Sequence, residues 1–96
     1  MAENVDDKFY VRADAHINLS NQQMHITEPG KVNASMMYGA ARFNAWLVSR
    51  NSQNKADFQA ARDKAIAHFV EQYRIMLTEH MDDYTANFAT DWPDKA

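Results

Sequence analysis

KADFQAARDKAIAHFVEQYRIMLTEHMDDYTANF, from Lys55 to Phe88, contains neither Gly nor Pro. Ala, Gln, Glu, Arg, Lys, Met and Leu dominate it, and such side chains lose little freedom in a helix. Its large apolar residues recur at helical spacing: Phe69, Tyr73, Met76, Tyr84 and Phe88, flanked by Ile66, Val70, Leu77 and Met81. The pattern predicts one long helix, or two helices meeting at a break around Thr78–His80.

Upstream, two shorter segments read the same way. FYVRADAHINLSNQQMHI, from Phe9 to Ile26, sets Phe9, Ala13, Ile17, Ser20 and Met24 on one stripe. Asp6 or Asp7 is positioned to cap it. Glu28-Pro29-Gly30 is expected to stop it, because Pro29 disfavours helix at Glu28 and Gly30 eases a reversal. A second helix is expected from an N-cap at Asn33 through ASMMYGAARFNAWLVSR. Its small residues Gly39, Ala40 and Ala41 would admit a close neighbouring helix. The polar run Arg50-Asn51-Ser52-Gln53-Asn54 makes the second turn.

The expected fold is therefore all-α: an antiparallel three-helix bundle forming a single domain over 1–96, with residues 1–5 and 89–96 as flexible tails. The third helix is either continuous or broken to give a fourth. The totals agree. A hydrophobic fraction of 46% supports a globular core, and 2 Gly with 2 Pro disfavour a turn-rich β fold. No apolar run approaches the ~18 residues of a membrane span. With no Cys, disulfides, thiolate metal sites and cysteine nucleophiles are excluded together. The acidic start MAENVDDKFY lacks the order of a signal peptide, so a cytoplasmic location without membrane association is expected.

Three blocks are distinctive in combination: RADAHINLSNQ at Arg12–Gln22, ASMMYGAARFNAW at Ala34–Trp46 and HFVEQYRIMLTEHMDDYTANF at His68–Phe88. With them the chain resembles the small bacterial helical proteins grouped as domain of unknown function 3144, over about Phe9 to Phe88. The resemblance implies a compact helical protein of bacterial origin. It brings no activity, cofactor or site, so no functional residue is carried over from it.

Chemistry-bearing constellations are weak. His16, His25, His68 and His80 stand among carboxylates, and His68 with Glu71 and His80 with Asp83 are three apart. A metal site in a helical bundle commonly uses Glu-x-x-His pairs, and the chain has none. No catalytic, cofactor-binding or metal-binding residue is assigned, and no cofactor is expected. Ser20, Ser35, Ser49 and Ser52 lie in no nucleophile context. Asp82 and Asp83 point about 100° apart on a helix and do not share a site directly. Arg12, Arg42, Arg50, Lys55, Arg62 and Lys64, with Trp46 and Phe58, are the residues a nucleic-acid reading would use. The net charge of −3 argues against that partner. Arg42 lies between Ala41 and Phe43. It is either on the outer edge of its helix or half-buried in a structural ion pair, with Asp14 the first partner and Glu71 the second.

Two functional readings remain. The first is a non-enzymatic protein–protein interaction module. It would be a homodimer through the C-terminal part of the third helix, with Leu77, Met81, Tyr84, Phe88 and Trp46 as interface candidates and room for a further protein partner. The alternative is a small-molecule-binding or catalytic helical domain, with a pocket near Tyr10, Tyr38, His68 and Tyr73. Lengths favour the first. Two helices of about 30 Å stand beside one of about 50 Å, so Leu77 to Phe88 would project beyond the others.

Overall fold

A computed structural model of the chain describes residues 4–88 and 95–96. Among these residues the protein is all-helical, with α1 at Phe9–Gln23, α2 at Pro29–Arg50 and α3 at Lys55–Ala86, and no strand. The expected tails, 1–5 and 89–96, fall mostly outside the described residues. At one described position the chain is held: Ala96 N–H donates to Asn21 Oδ1 at 3.0 Å, and Asn21 Nδ2 donates to the Ala96 carbonyl at 3.4 Å. The chain divides into two compact units, and the division falls inside α2 between Gly39 and Ala40.

In the first unit, α1 turns the expected stripe inward. Phe9, Ala13, Ile17, Ser20 and Met24 are half-buried, as is Asn21. The Ser20 hydroxyl donates to the His16 carbonyl at 3.2 Å and lies 3.2 Å from Met36 Sδ, which ties α1 to the first half of α2. Val32 is the single buried side chain among the described residues, at 4% exposure.

The start of α1 and the turn that follows it differ from the sequence reading. Asp6 does not cap α1. Its backbone carbonyl accepts the Phe9 N–H at 3.2 Å, while its carboxylate takes the Arg12 guanidinium at 2.8 and 3.3 Å. A two-pronged, charge-assisted pair outcompetes a cap bond. Nor does Pro29 only stop a helix. It begins α2, where its missing N–H is not needed and its fixed φ suits the first helical position. Glu28, kept out of the helical region by that proline, accepts the N–H groups of Lys31 at 3.0 Å and Val32 at 3.2 Å. Asn33 is therefore inside the helix, four residues past its start, with its amide 3.7 Å from Met37 Sδ. Gly30 has no positive φ, and the reversal is made before it.

In the second unit, Asn54 caps α3 by accepting the Asp57 N–H at 2.9 Å. Asp57 in the first turn also complements the helix dipole. Replacing Asn54 by Ala is expected to lower stability by about 1 kcal/mol, read from the shift of the urea midpoint. At the end of α2, Ser52 Oγ donates to the Val48 carbonyl at 2.8 Å. The packed rows are Asn44, Leu47 and Val48 on α2, and Phe58, Ala61, Ala65, Phe69 and Gln72 on α3, all half-buried. From Tyr73 to Phe88 every residue of α3 and its end is exposed. The helix has no break at Thr78–His80: it runs 32 residues, and Thr78 Oγ1 donates to the Arg74 carbonyl at 2.7 Å, within the helix.

Among the described residues, nothing beyond its own helix backbone and chain neighbours lies within 4 Å of where a side chain at Gly39 would begin. Its helical backbone suits any L residue, so Gly39→Ala is expected to raise stability by roughly 0.5–1 kcal/mol, checked by thermal melting.

Candidate interaction surface

The exposed part of α3 is ordered by its periodicity. Ile66, Val70, Tyr73, Leu77 and Tyr84 follow one another at intervals of four, three, four and seven, with His80 filling the long interval. All are exposed, Val70 to 63% and Leu77 to 44%. This stripe lies about 100° around the helix from the row Phe58, Ala61, Ala65, Phe69 and Gln72, given 100° per residue. The two rows are thus distinct faces, one packed within the unit and one open. Met81 and Phe88, the other candidates on this helix, border the stripe and are exposed as well.

The stripe begins earlier than the interface candidates suggest. Ile66, Val70 and Tyr73 extend it by two turns toward the N-terminus of α3. The signal was present in their spacing, but Tyr73 also fits a row with Phe69 and Met76, which concealed the continuity.

Trp46 stands apart on α2. Its ring is tilted 39° against Phe43 at 5.4 Å, and the Arg50 guanidinium carbon lies 5.7 Å from its centroid. Phe43, Trp46 and Arg50 form an exposed ladder at intervals of three and four, a cation–π contact closing one end. Trp46 is 50% exposed.

Tyr10, Tyr38, His68 and Tyr73 are all exposed, the first two in the first unit and the others in the second. The four histidines are exposed, and no three of His, Cys, Asp and Glu come together among the described residues. Arg42 is exposed, the outer-edge placement of its two expected settings. Glu71 is held by Arg74 instead, through bonds of 2.9 and 2.7 Å. Asp14 is exposed and lies in the first unit. Two of the arginines in the basic set already face carboxylates, Arg12 with Asp6 and Arg62 with Asp63 at 2.6 Å.

These pairs set the local electrostatics. The hydrogen bonds from Arg12 hold the Asp6 carboxyl below the usual carboxylate range, and those from Arg74 do the same for Glu71. Both groups are exposed, so solvent screens the pairs. A lowered folded-state value means each contributes stability above the ordinary carboxylate range and loses it as pH falls through the lowered value. Carbon-detected NMR titration is expected to show Asp6 losing its charge below the ordinary aspartate range, and Arg12→Gln is expected to return it upward.

No helix is long and apolar enough to cross a membrane among the described residues. Fold and surface together define a small all-α protein with an open apolar helix face. The chain belongs to the family described as protein of unknown function (DUF3144), whose pattern it matches over residues 9–85. No curated protein and no solved structure matches it.

Proposed function

We propose that the protein is a non-enzymatic interaction module of the bacterial cytoplasm that works as a homodimer through the C-terminal part of α3. The observation that carries this reading is the open stripe from Ile66 to Tyr84. Five large apolar or aromatic side chains line one face of a continuous helix, and each would contribute roughly 1.5–3 kcal/mol on full burial. The thin core points the same way. With Val32 alone buried among the described residues, a second copy supplies the apolar contact that one chain lacks. In the dimer we place the three helices of each copy in an antiparallel bundle. The Phe43–Trp46–Arg50 ladder is left for a further protein partner, since aromatic and arginine side chains anchor such contacts.

Size-exclusion light scattering tests the reading. At tens of micromolar the protein is expected to elute with twice its 11.1 kDa chain mass. A monomer at that concentration refutes the homodimer.

A further inference from the structure

We infer that the two copies pair with their α3 helices antiparallel, crossing between Tyr73 and Leu77. The inference rests on the homodimer reading and adds to it a direction and a register.

The register comes from the stripe. Ile66, Val70, Tyr73, Leu77, His80 and Tyr84 alternate steps of four and three, the spacing that keeps two helices in contact along a shared seam. The same seam is polar on both sides of this stretch, at Gln59 and Asp63 before it and at Asn87 after it. Its apolar part is therefore centred between Tyr73 and Leu77. A two-fold axis there overlays the apolar parts completely. It sets Ile66 against the partner copy's Tyr84, Val70 against the partner copy's His80, and Tyr73 against the partner copy's Leu77.

The direction comes from charge. Between Ala40 and Lys64 there are five basic residues, Arg42, Arg50, Lys55, Arg62 and Lys64, against Asp57 and Asp63, a net +3. Between Ala65 and Phe88 there are four acidic residues, Glu71, Glu79, Asp82 and Asp83, against Arg74, a net −3. A parallel pair would set the two acidic ends at the same level. The antiparallel pair brings Asp83 level with position 67 of the other helix, so the acidic end of each α3 stands beside the end of the other that carries Lys55, Arg62 and Lys64. Of these, Arg62 lies about 40° around the helix from the stripe and five residues, roughly 8 Å along the axis, from that level. Arg74 comes near its own copy at the crossing, where Glu71 already neutralises it through two hydrogen bonds. Like-charge crowding thus disfavours one direction, and opposite charge favours the other.

The chain has no Cys, so introduced cysteines report without interference. Ile66→Cys and Tyr84→Cys are made as separate variants carrying tags of different length, then oxidised alone and as a mixture. The antiparallel register gives the mixed disulfide on mixing and little cross-linking from either variant alone. Efficient cross-linking of each variant with itself overturns the direction while leaving the homodimer standing. No cross-link in any sample, with light scattering still reporting a dimer, overturns the placement on this stripe. A monomeric wild type overturns the homodimer reading itself and gives the face to a different protein.

Salt dependence of the wild type supplies a measurement free of substitutions. The antiparallel dimer is expected to dissociate several-fold more readily between about 0.05 and 0.5 M salt, because screening removes an attraction. Tightening with salt overturns the inference.

Discussion

Leu77→Glu combined with Tyr84→Glu is expected to turn the proposed dimer into a monomer at tens of micromolar. Leu77 and Tyr84 are 44% and 51% exposed in the single chain, so neither charge is forced into a chain's own core. In a two-fold assembly each substitution occurs twice. Four apolar side chains leave the interface, at roughly 1.5–3 kcal/mol each, and carboxylates take their place. Because each is only about half exposed in the single chain, the sum is about 3 kcal/mol or more, on the order of two decades in dissociation constant. Light scattering reads the mass. A second signature comes from melting: the wild-type midpoint is expected to rise with protein concentration, as for any linked association, and the variant's to be independent of it. If the variant remains dimeric, the interface is elsewhere, and the exposed ladder of Phe43, Trp46 and Arg50 is the next place to substitute.

The second large effect concerns the helix on which the stripe is built. Thr78→Pro is expected to cost about 3 kcal/mol or more, because proline lacks the N–H and its ring meets the carbonyl four residues back. That carbonyl belongs to Arg74, which already accepts from Thr78 Oγ1 at 2.7 Å. The break would separate Ile66, Val70, Tyr73 and Leu77 from Tyr84, so helical circular dichroism and dimer mass should fall together. Thr78→Ala is the control. It removes only the exposed side-chain bond and keeps the backbone donor, so it should leave both nearly unchanged. A proline variant as stable as the wild type would mean that α3 tolerates a break there.

Much of this architecture was legible without coordinates, and for a common reason. The all-helical class, the inward stripe from Phe9 to Met24, the polar second turn and the helical character of α3 depend on residues within a few positions of one another. Helix propensity and apolar period are properties of such short stretches. The absence of Gly and Pro from Lys55 to Phe88 left nothing local to interrupt α3.

The misreadings share a cause too. Each arose where one residue type serves two local purposes. An aspartate before a helix can cap it or hold a nearby arginine, and Asp6 does the second because Arg12 offers two donors at once. A proline after a helix can end one element or start the next, and Pro29 starts one. With α2 beginning there, Val32 is carried on a helical turn into the only buried position among the described residues. Arg42, flanked by Ala41 and Phe43, had an exposed and a half-buried setting open to it. It takes the exposed one, while the second carboxylate considered for it, Glu71, is held by an arginine three residues away.

The division of α3 into two faces shows the same limit most plainly. Phe58, Ala61, Ala65, Phe69 and Gln72 repeat at three and four, and so do Ile66, Val70, Tyr73 and Leu77. Periodicity made the helix amphipathic along both rows and ranked neither. The chain alone established that a long helix with apolar residues would exist. Which row is packed was decided by folding α3 back from the Asn54 cap within the same unit as Asn44, Leu47 and Val48. Burial is a property of what stands opposite a side chain, and the partner there lies too far along the sequence for any local pattern to specify it.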